Sequence, residues 1–197
     1  MWRLRRRAVA EAFAEFLAKR VERRKVLKEL RDALFRESTE IFDYERFIAR
    51  LREDILKARY YVLVISPYLK KSVIKKFLSY REVRDSRDRV SLMVLTKAID
   101  DFKQESNRKS HEDCVNLLSE SGIGVFQMKK LHFKAVIIDD EILYLGSINV
   151  LSVMPIDYLP ADYMVRFKSE ALVDEVIERV VGRETFEGML KQMTTRE

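Results

Sequence analysis

The apolar and polar positions of this chain divide it into alternating helix-like and strand-like segments. Residues 8–36 contain no Gly or Pro, and Val9, Phe13, Phe16, Leu17, Val21, Leu27, Leu30 and Leu34 recur at helical spacing. That periodicity predicts a long amphipathic helix. Ser38 and Thr39 follow as cap or turn residues, and a second helix is expected over 44–57, with Phe47, Ile48, Leu51, Ile55 and Leu56 as its apolar stripe. The run 60–65 is different in kind. It is β-branched, aromatic and apolar on both faces and is stopped by Ser66-Pro67, as expected of a central strand covered by helices.

The alternation continues with a helix over 70–80, a strand over 90–95, a polar loop over 96–110 and a helix over 111–121 that Gly122 closes. Apolar runs at 123–128, 133–138, 142–145 and 163–167 predict further strands, and 170–181 a last helix. Strands alternating with helices argue for an α/β fold, a mixed sheet with helices on both faces. The connection over 150–161 is unusually apolar, with Leu151, Val153, Met154, Ile156, Tyr158 and Leu159 set around Pro155 and Pro160. It is expected to cover a site or to pack in a dimer interface, the interface being preferred.

Composition narrows this picture. A chain of 197 residues, 47% hydrophobic, can bury one good core, so we expect one domain over 41–197 preceded by a helical extension over 1–40. No segment approaches the roughly 18 uninterrupted apolar residues of a membrane span. Glu11 and Glu15 interrupt any apolar stretch of an export signal, and the single Cys114 forms no internal disulfide, so a cytoplasmic location is expected. The net charge of +6 is unevenly spread: residues 1–36 hold twelve Lys and Arg against five Asp and Glu, a net +7, which leaves −1 for the rest. A basic helix of this kind fits a solvated face packed on the domain or on its twin, a nucleic-acid backbone, or an anionic membrane surface.

The chemistry concentrates in residues 132–149. His132 and Lys134 open one expected strand, Asp139 ends it, and Gly146, Ser147 and Asn149 follow the next, giving the pattern HxKxxxxDxxxxxxGSxN. Strand side chains alternate, so His132 and Lys134 point to one face. Gly146 lets backbone approach a ligand closely, while Ser147 and Asn149 offer hydrogen-bond donors beyond the strand end. Imidazole is a nucleophile and proton carrier near neutral pH, and a fixed ammonium and an amide neutralise charge on phosphoryl oxygens. The only other histidine, His111, has no companion at ligand spacing, so no metal and no cofactor are expected.

This pattern resembles the HKD motif of the phospholipase D superfamily at every signature position, and the α/β pattern over 44–181 is similar to that family's fold. The resemblance implies that two motifs meet at one active site, where one histidine attacks phosphorus and the other protonates the leaving oxygen. One motif is present here, which implies a homodimer, or a second protein carrying another motif. Lys134 and Asn149 would hold the phosphate with Ser147 beside them, and Asp139 would support local structure. Families of this type place an acid after the motif to orient the nucleophilic histidine. The candidate is Asp162, one methylene shorter than the usual Glu, and a capping role suits it nearly as well.

The smallest members with one HKD copy resemble nucleases, whereas lipid-cleaving members carry two copies, so a nucleic-acid substrate is preferred. Ser66 and Tyr68, just past the first central strand, are candidates to line the cleft, with Lys97, Lys130 and the backbone at Gly146 as candidate phosphate contacts near strand ends. Lys70, Lys71 and Lys129 lie in similar places. A lipid phosphodiesterase held at a membrane surface by the basic helix, and a non-catalytic nucleic-acid-binding protein, are the other readings.

Overall fold

The computed structural model describes residues 40–152 and 162–194, all within the unit Thr39–Glu197. The helix expected over 8–36 lies outside the described residues, as does the connection after residue 152. The elements in order are β1 (Glu40–Phe42), α1 (Tyr44–Lys57), β2 (Tyr61–Ile65), α2 (Lys71–Ser79), α3 (Arg81–Ser86) and β3 (Ser91–Lys97). A 3-10 turn (Ile99–Asp101) then leads to α4 (Glu105–Glu120), β4 (Gly124–Met128), β5 (Ala135–Ile138), β6 (Ile142–Gly146) and β7 (Met164–Lys168). The described chain ends in α5 (Glu170–Val176), a π-helical turn (Ile177–Val181) and α6 (Arg183–Thr194).

The strands form one seven-stranded mixed sheet in the order β1-β7-β6-β5-β2-β3-β4. β2, β3 and β4 run parallel, and β2–β5, β5–β6, β6–β7 and β7–β1 are antiparallel. The central strands divide their side chains between two cores. Val62, Val64, Leu92, Val94, Val136, Ile138 and Tyr144 pack with Phe47 and Leu51 of α1, Ile74 of α2, Val83 of α3 and Cys114 of α4. On the other face Leu63, Ile65, Met93, Leu95, Ile137 and Leu143 pack with Val173 of α5 and with Phe186 and Met189 of α6. This two-sided burial is why these strands read as unbroken apolar runs rather than as alternating ones.

Helix α1 begins on Asp43, whose carboxylate accepts from Arg46 N at 2.9 Å. Its buried Asp54 reaches across to the last strand, accepting from Arg166 Nε at 2.7 Å and from the Tyr144 hydroxyl at 2.5 Å. Burial and the bond to Asp54 push the Tyr144 phenol up, so it stays a donor. Arg166 in turn lies 3.7 Å from Glu40 of β1. A buried charge network thus ties the first and last strands to the first helix of the domain.

Three differences from the sequence expectation stand out. Helix α4 starts at Glu105, inside the expected loop, because its first turns are wholly polar and only His111, Cys114 and Leu118 are buried. Strand β5 pairs only from Ala135, so His132 and Lys134 approach the sheet without joining its ladder. Helix α6, absent from the expectation, follows the turn at Gly182, whose φ of +84° ends the π-helical turn.

Candidate active site

The registers gather the motif at one end of the sheet. Ile65 of β2 lies opposite both Leu95 of β3 and Ala135 of β5; Ala135 lies opposite Leu145 of β6, and Gly146 opposite Met164 of β7. The ends of β2, β3, β4 and β6 and the starts of β5 and β7 therefore share an edge. Open α/β sheets present ligand sites at such strand ends. Along it lie Ser66 to Tyr68, Lys97, Lys130, His132 and Lys134, Gly146 to Asn149, and Asp162.

The approach to β5 keeps an alternating pattern. Leu131 and Phe133 pack into the second core, while His132 between them is exposed. His132 and Lys134 therefore turn away from that core, and Lys134 Nζ folds back to donate to the His132 carbonyl at 3.1 Å. The His132 imidazole is thus exposed at the edge, and the Lys134 ammonium is held at the backbone of the same residue. Across the edge, Asn149 is partly buried, and its Oδ1 has no hydrogen-bond partner among the described residues. A buried amide with an unmet group is costly unless a ligand or another subunit meets it.

Gly146 and Ser147 act through a close approach of two strands. Ser147 N donates to the Tyr163 carbonyl at 3.0 Å, and Tyr163 N donates to Ser147 Oγ at 3.1 Å. A Cβ on Gly146 would lie 2.1 Å from that carbonyl oxygen and 2.9 Å from Met164 Cα, so no larger residue fits without moving backbone. Ser147 accepts through one lone pair, and its O–H remains able to donate toward the edge. The clamp also fixes the chain next to Asp162, which is partly buried just before Tyr163.

Not every residue singled out in the sequence joins this edge. Asp139 lies at the far end of β5, in the turn to β6, with φ at +51°. Its carboxylate accepts from Arg59 N, Tyr60 N and Tyr61 N at 3.0, 2.9 and 3.0 Å, so it fastens the start of β2. A cavity of about 390 Å³ opens at that opposite end, among Arg50, Asp54, Lys57, Asp139, Arg166 and Lys168, away from the motif. Ser66 is at the right edge but fully buried: its hydroxyl donates to the Tyr68 carbonyl at 3.0 Å and accepts from Leu151 N at 3.4 Å. It holds the segment after the motif against β2 rather than facing the cleft.

Lys130, with φ at +57°, donates its backbone N–H to the Asp101 carboxylate, and Ile99 N donates to the Gln127 side chain at 3.0 Å. These bonds stitch the β4–β5 and β3–α4 loops together. Lys97 Nζ lies 5.5 Å from the ring centres of both Tyr68 and Phe102. Phe102 and the buried His111 beside it were not expected at this edge. His111 Nε2 meets the Lys97 carbonyl at 2.9 Å, which requires Nε2 to carry the proton, and burial holds the imidazole below its usual range. The signal available was a lone aromatic in a polar loop, too slight to place it.

The family model described as Cardiolipin synthase, PLD-like domain, matches residues 51–180. A search of curated proteins by sequence returns no match. Among solved structures, the phospholipase D family member Nuc from Salmonella typhimurium is 12% identical with a TM-score of 0.55, over 77% of this chain and 95% of that one. NucT from Helicobacter pylori is 14% identical with a TM-score of 0.54, over 79% and 96%. Phosphatidylserine synthase from Haemophilus influenzae Rd KW20 is 16% identical with a TM-score of 0.55, over 71% of this chain and 35% of that one.

Proposed function

Because the chain belongs to the phospholipase D superfamily, we propose that it is a phosphodiesterase, and specifically a nuclease cleaving DNA or RNA at a site shared across a homodimer. The observation that carries this is the single edge bearing His132 and Lys134 ahead of β5 and Ser147 and Asn149 after β6, on two adjacent antiparallel strands. In the first step an imidazole nitrogen of His132 forms a bond to phosphorus, and the bond from phosphorus to the leaving oxygen breaks. A protonated second imidazole, His132 of the partner subunit, gives that oxygen its proton. Water then attacks the phosphohistidine, giving its proton back to the second imidazole and freeing His132.

Lys134, Asn149 and Ser147 would stabilise the charge on the non-bridging oxygens through all of this. One such donor contributes about 2.7–4 kcal/mol in a comparable oxyanion site. Lys97 and Lys130 would meet the flanking phosphates, and Asp162 would orient His132. No metal step is needed in this scheme. A nucleic acid is preferred to a lipid because this chain carries one motif, as the nuclease-like members that it resembles do, and its fold covers 95% of Nuc and 96% of NucT but 35% of phosphatidylserine synthase.

The lipid reading keeps its place because the matching family is named for cardiolipin synthase and one similar structure is a phosphatidylserine synthase. Among the described residues no helix is long and apolar enough to cross a membrane. One assay separates the readings. Wild type and His132→Ala are incubated in EDTA with labelled single- and double-stranded DNA and RNA and with phospholipid vesicles. Cleavage of nucleic acid by wild type alone is the expected result; activity that chelator removes, or that His132→Ala retains, overturns the scheme.

A further inference from the structure

A hollow of about 250 Å³ lies beside the edge that carries His132, lined by Tyr68, Leu69, Phe102, Asn107, Ser110 and His111. Tyr68 follows β2, the strand hydrogen-bonded to β5, and Lys97 ends β3, one strand further on. Strands are about 4.8 Å apart, so the hollow is within reach of a nucleotide adjoining a phosphate held at His132. It also belongs to the same side of the sheet. Leu69 and Cys114 of α4 pack with the first core, the side toward which His132 and Lys134 turn.

The walls suit a flat ring better than a chain. Tyr68, 39% exposed, and Phe102 meet edge to face, with centroids 6.2 Å apart and planes at 76°, which offers one ring face and one ring edge. Phe102 is backed by His111, whose centroid is 4.6 Å away, and its carbonyl accepts from Arg108 Nε at 2.7 Å. With His111 tied to Lys97 and kept neutral by burial, the platform is built before any ligand arrives. The Asn107 amide and Ser110 hydroxyl bring hydrogen-bonding groups to an otherwise aromatic wall. Lys97 places a positive charge against both rings, where the phosphate attached to a stacked base would lie.

We propose that this hollow is a subsite that stacks one unpaired nucleobase of the substrate strand, next to the phosphodiester at His132. The inference rests on the nucleic-acid reading above and deepens it. A base within a duplex is already stacked and paired, so only a single strand, an end or a loop can offer one to a hollow of this size. The subsite therefore makes the enzyme prefer unpaired DNA or RNA.

The test uses the full chain carrying His132→Ala, so that affinity is read without turnover. Binding of a single-stranded oligonucleotide is compared by fluorescence anisotropy with a strand of equal length and charge in which every nucleotide lacks its base. The base-bearing strand is expected to bind about five-fold to a hundred-fold more tightly, the usual span for stacking of one base. Tyr68→Leu and Phe102→Leu each pull that ratio toward unity, and Phe102→Trp keeps it, which a merely structural role would not do. DNA and RNA arms are run in parallel, and collapse of the ratio in either supports the subsite and names the sugar it takes. A duplex of the same sequence is expected to be insensitive to both leucine variants. A ratio of one before substitution, a ratio the leucine variants leave intact, or equal sensitivity of the duplex overturns the proposal. Failure of the cleavage assay leaves this readout standing, so the two ideas fail separately.

Discussion

Asp139 stands four residues beyond the start of its strand and at the opposite end of the sheet from His132, yet it belongs to the same motif. Its left-handed conformation is one that Asp tolerates better than most side chains, because the carboxylate finds backbone donors nearby. Here it finds N–H groups of residues 59, 60 and 61, about 80 positions earlier in the chain. Hydrogen bonds to a charged group contribute about 1.5–3 kcal/mol. Asp139→Ala is therefore expected to lower the stability read from urea unfolding by at least that amount, and Asp139→Asn by less, since a neutral acceptor remains. Wild-type midpoints in both would remove the support role. His111 makes a second prediction at this scale. Its folded pKa lies below its unfolded value near 6.5, so the unfolded chain takes up a proton first as pH falls. The neutral folded imidazole thus contributes stability that is present above about pH 6.5 and lost below it. Melting temperature is expected to fall between about pH 7 and 5 more steeply in wild type than in His111→Gln. Parallel slopes would refute this.

At the scale of elements, the site depends on how closely β6 and β7 approach. Gly146→Ala would press a methyl group into backbone, at 2.1 Å from the Tyr163 carbonyl oxygen, and is expected to cost roughly 1–3 kcal/mol or more while displacing Ser147 and Asp162. Gly124→Ala is the contrast: its nearest neighbour, at 2.3 Å, is the flexible Met193 sulfur, which can move aside. A drop in melting temperature for the first well beyond the second is the expected result. The charge network between α1 and β7 is a separate dependence. Asp54→Ala leaves the Arg166 guanidinium buried without its main partner and is expected to cost about 3–5 kcal/mol. Tyr144→Phe removes one donor and should cost about 1.5–3 kcal/mol. Equal unfolding midpoints for Asp54→Ala and wild type would show the network to be dispensable. These dependences also mark what the sequence could and could not convey. The central strands were legible because burial on both faces leaves them uninterrupted, and α1 because Phe47, Leu51 and Ile55 keep helical spacing. The first turns of α4 were not legible, since a polar helix turn and a polar loop have the same composition. β1 was too short to show a period, and its pairing with β7 joins residues more than 120 apart. At the site, the motif named His132, Lys134 and Asn149, but the aromatic hollow arises only when the loops after β2 and β3 meet the first turns of α4.

For the molecule as a whole, the consequential fact is that the chain carries one His132 and no second motif. If each active centre takes one imidazole from each of two subunits, a dimer holds one centre and needs both copies intact. That arrangement has an arithmetic signature. When wild type is mixed with His132→Ala and the subunits are allowed to exchange, intact centres form only in wild-type pairs, so activity should fall as the square of the wild-type fraction. A centre complete within one chain would instead lose activity in simple proportion. Two controls belong with it: sedimentation should give a dimer for both proteins, and mixing without exchange should give the proportional line. Asn149 Oδ1 adds a structural reason to expect the square. A buried acceptor left unmet within one chain is costly, and pairing across a two-fold axis can bring it a donor at the same place where the second imidazole arrives. Proportional loss under full exchange would mean that this chain completes its site alone, and the second proton carrier would then have to be sought among its own residues, with Asp162 the first to replace.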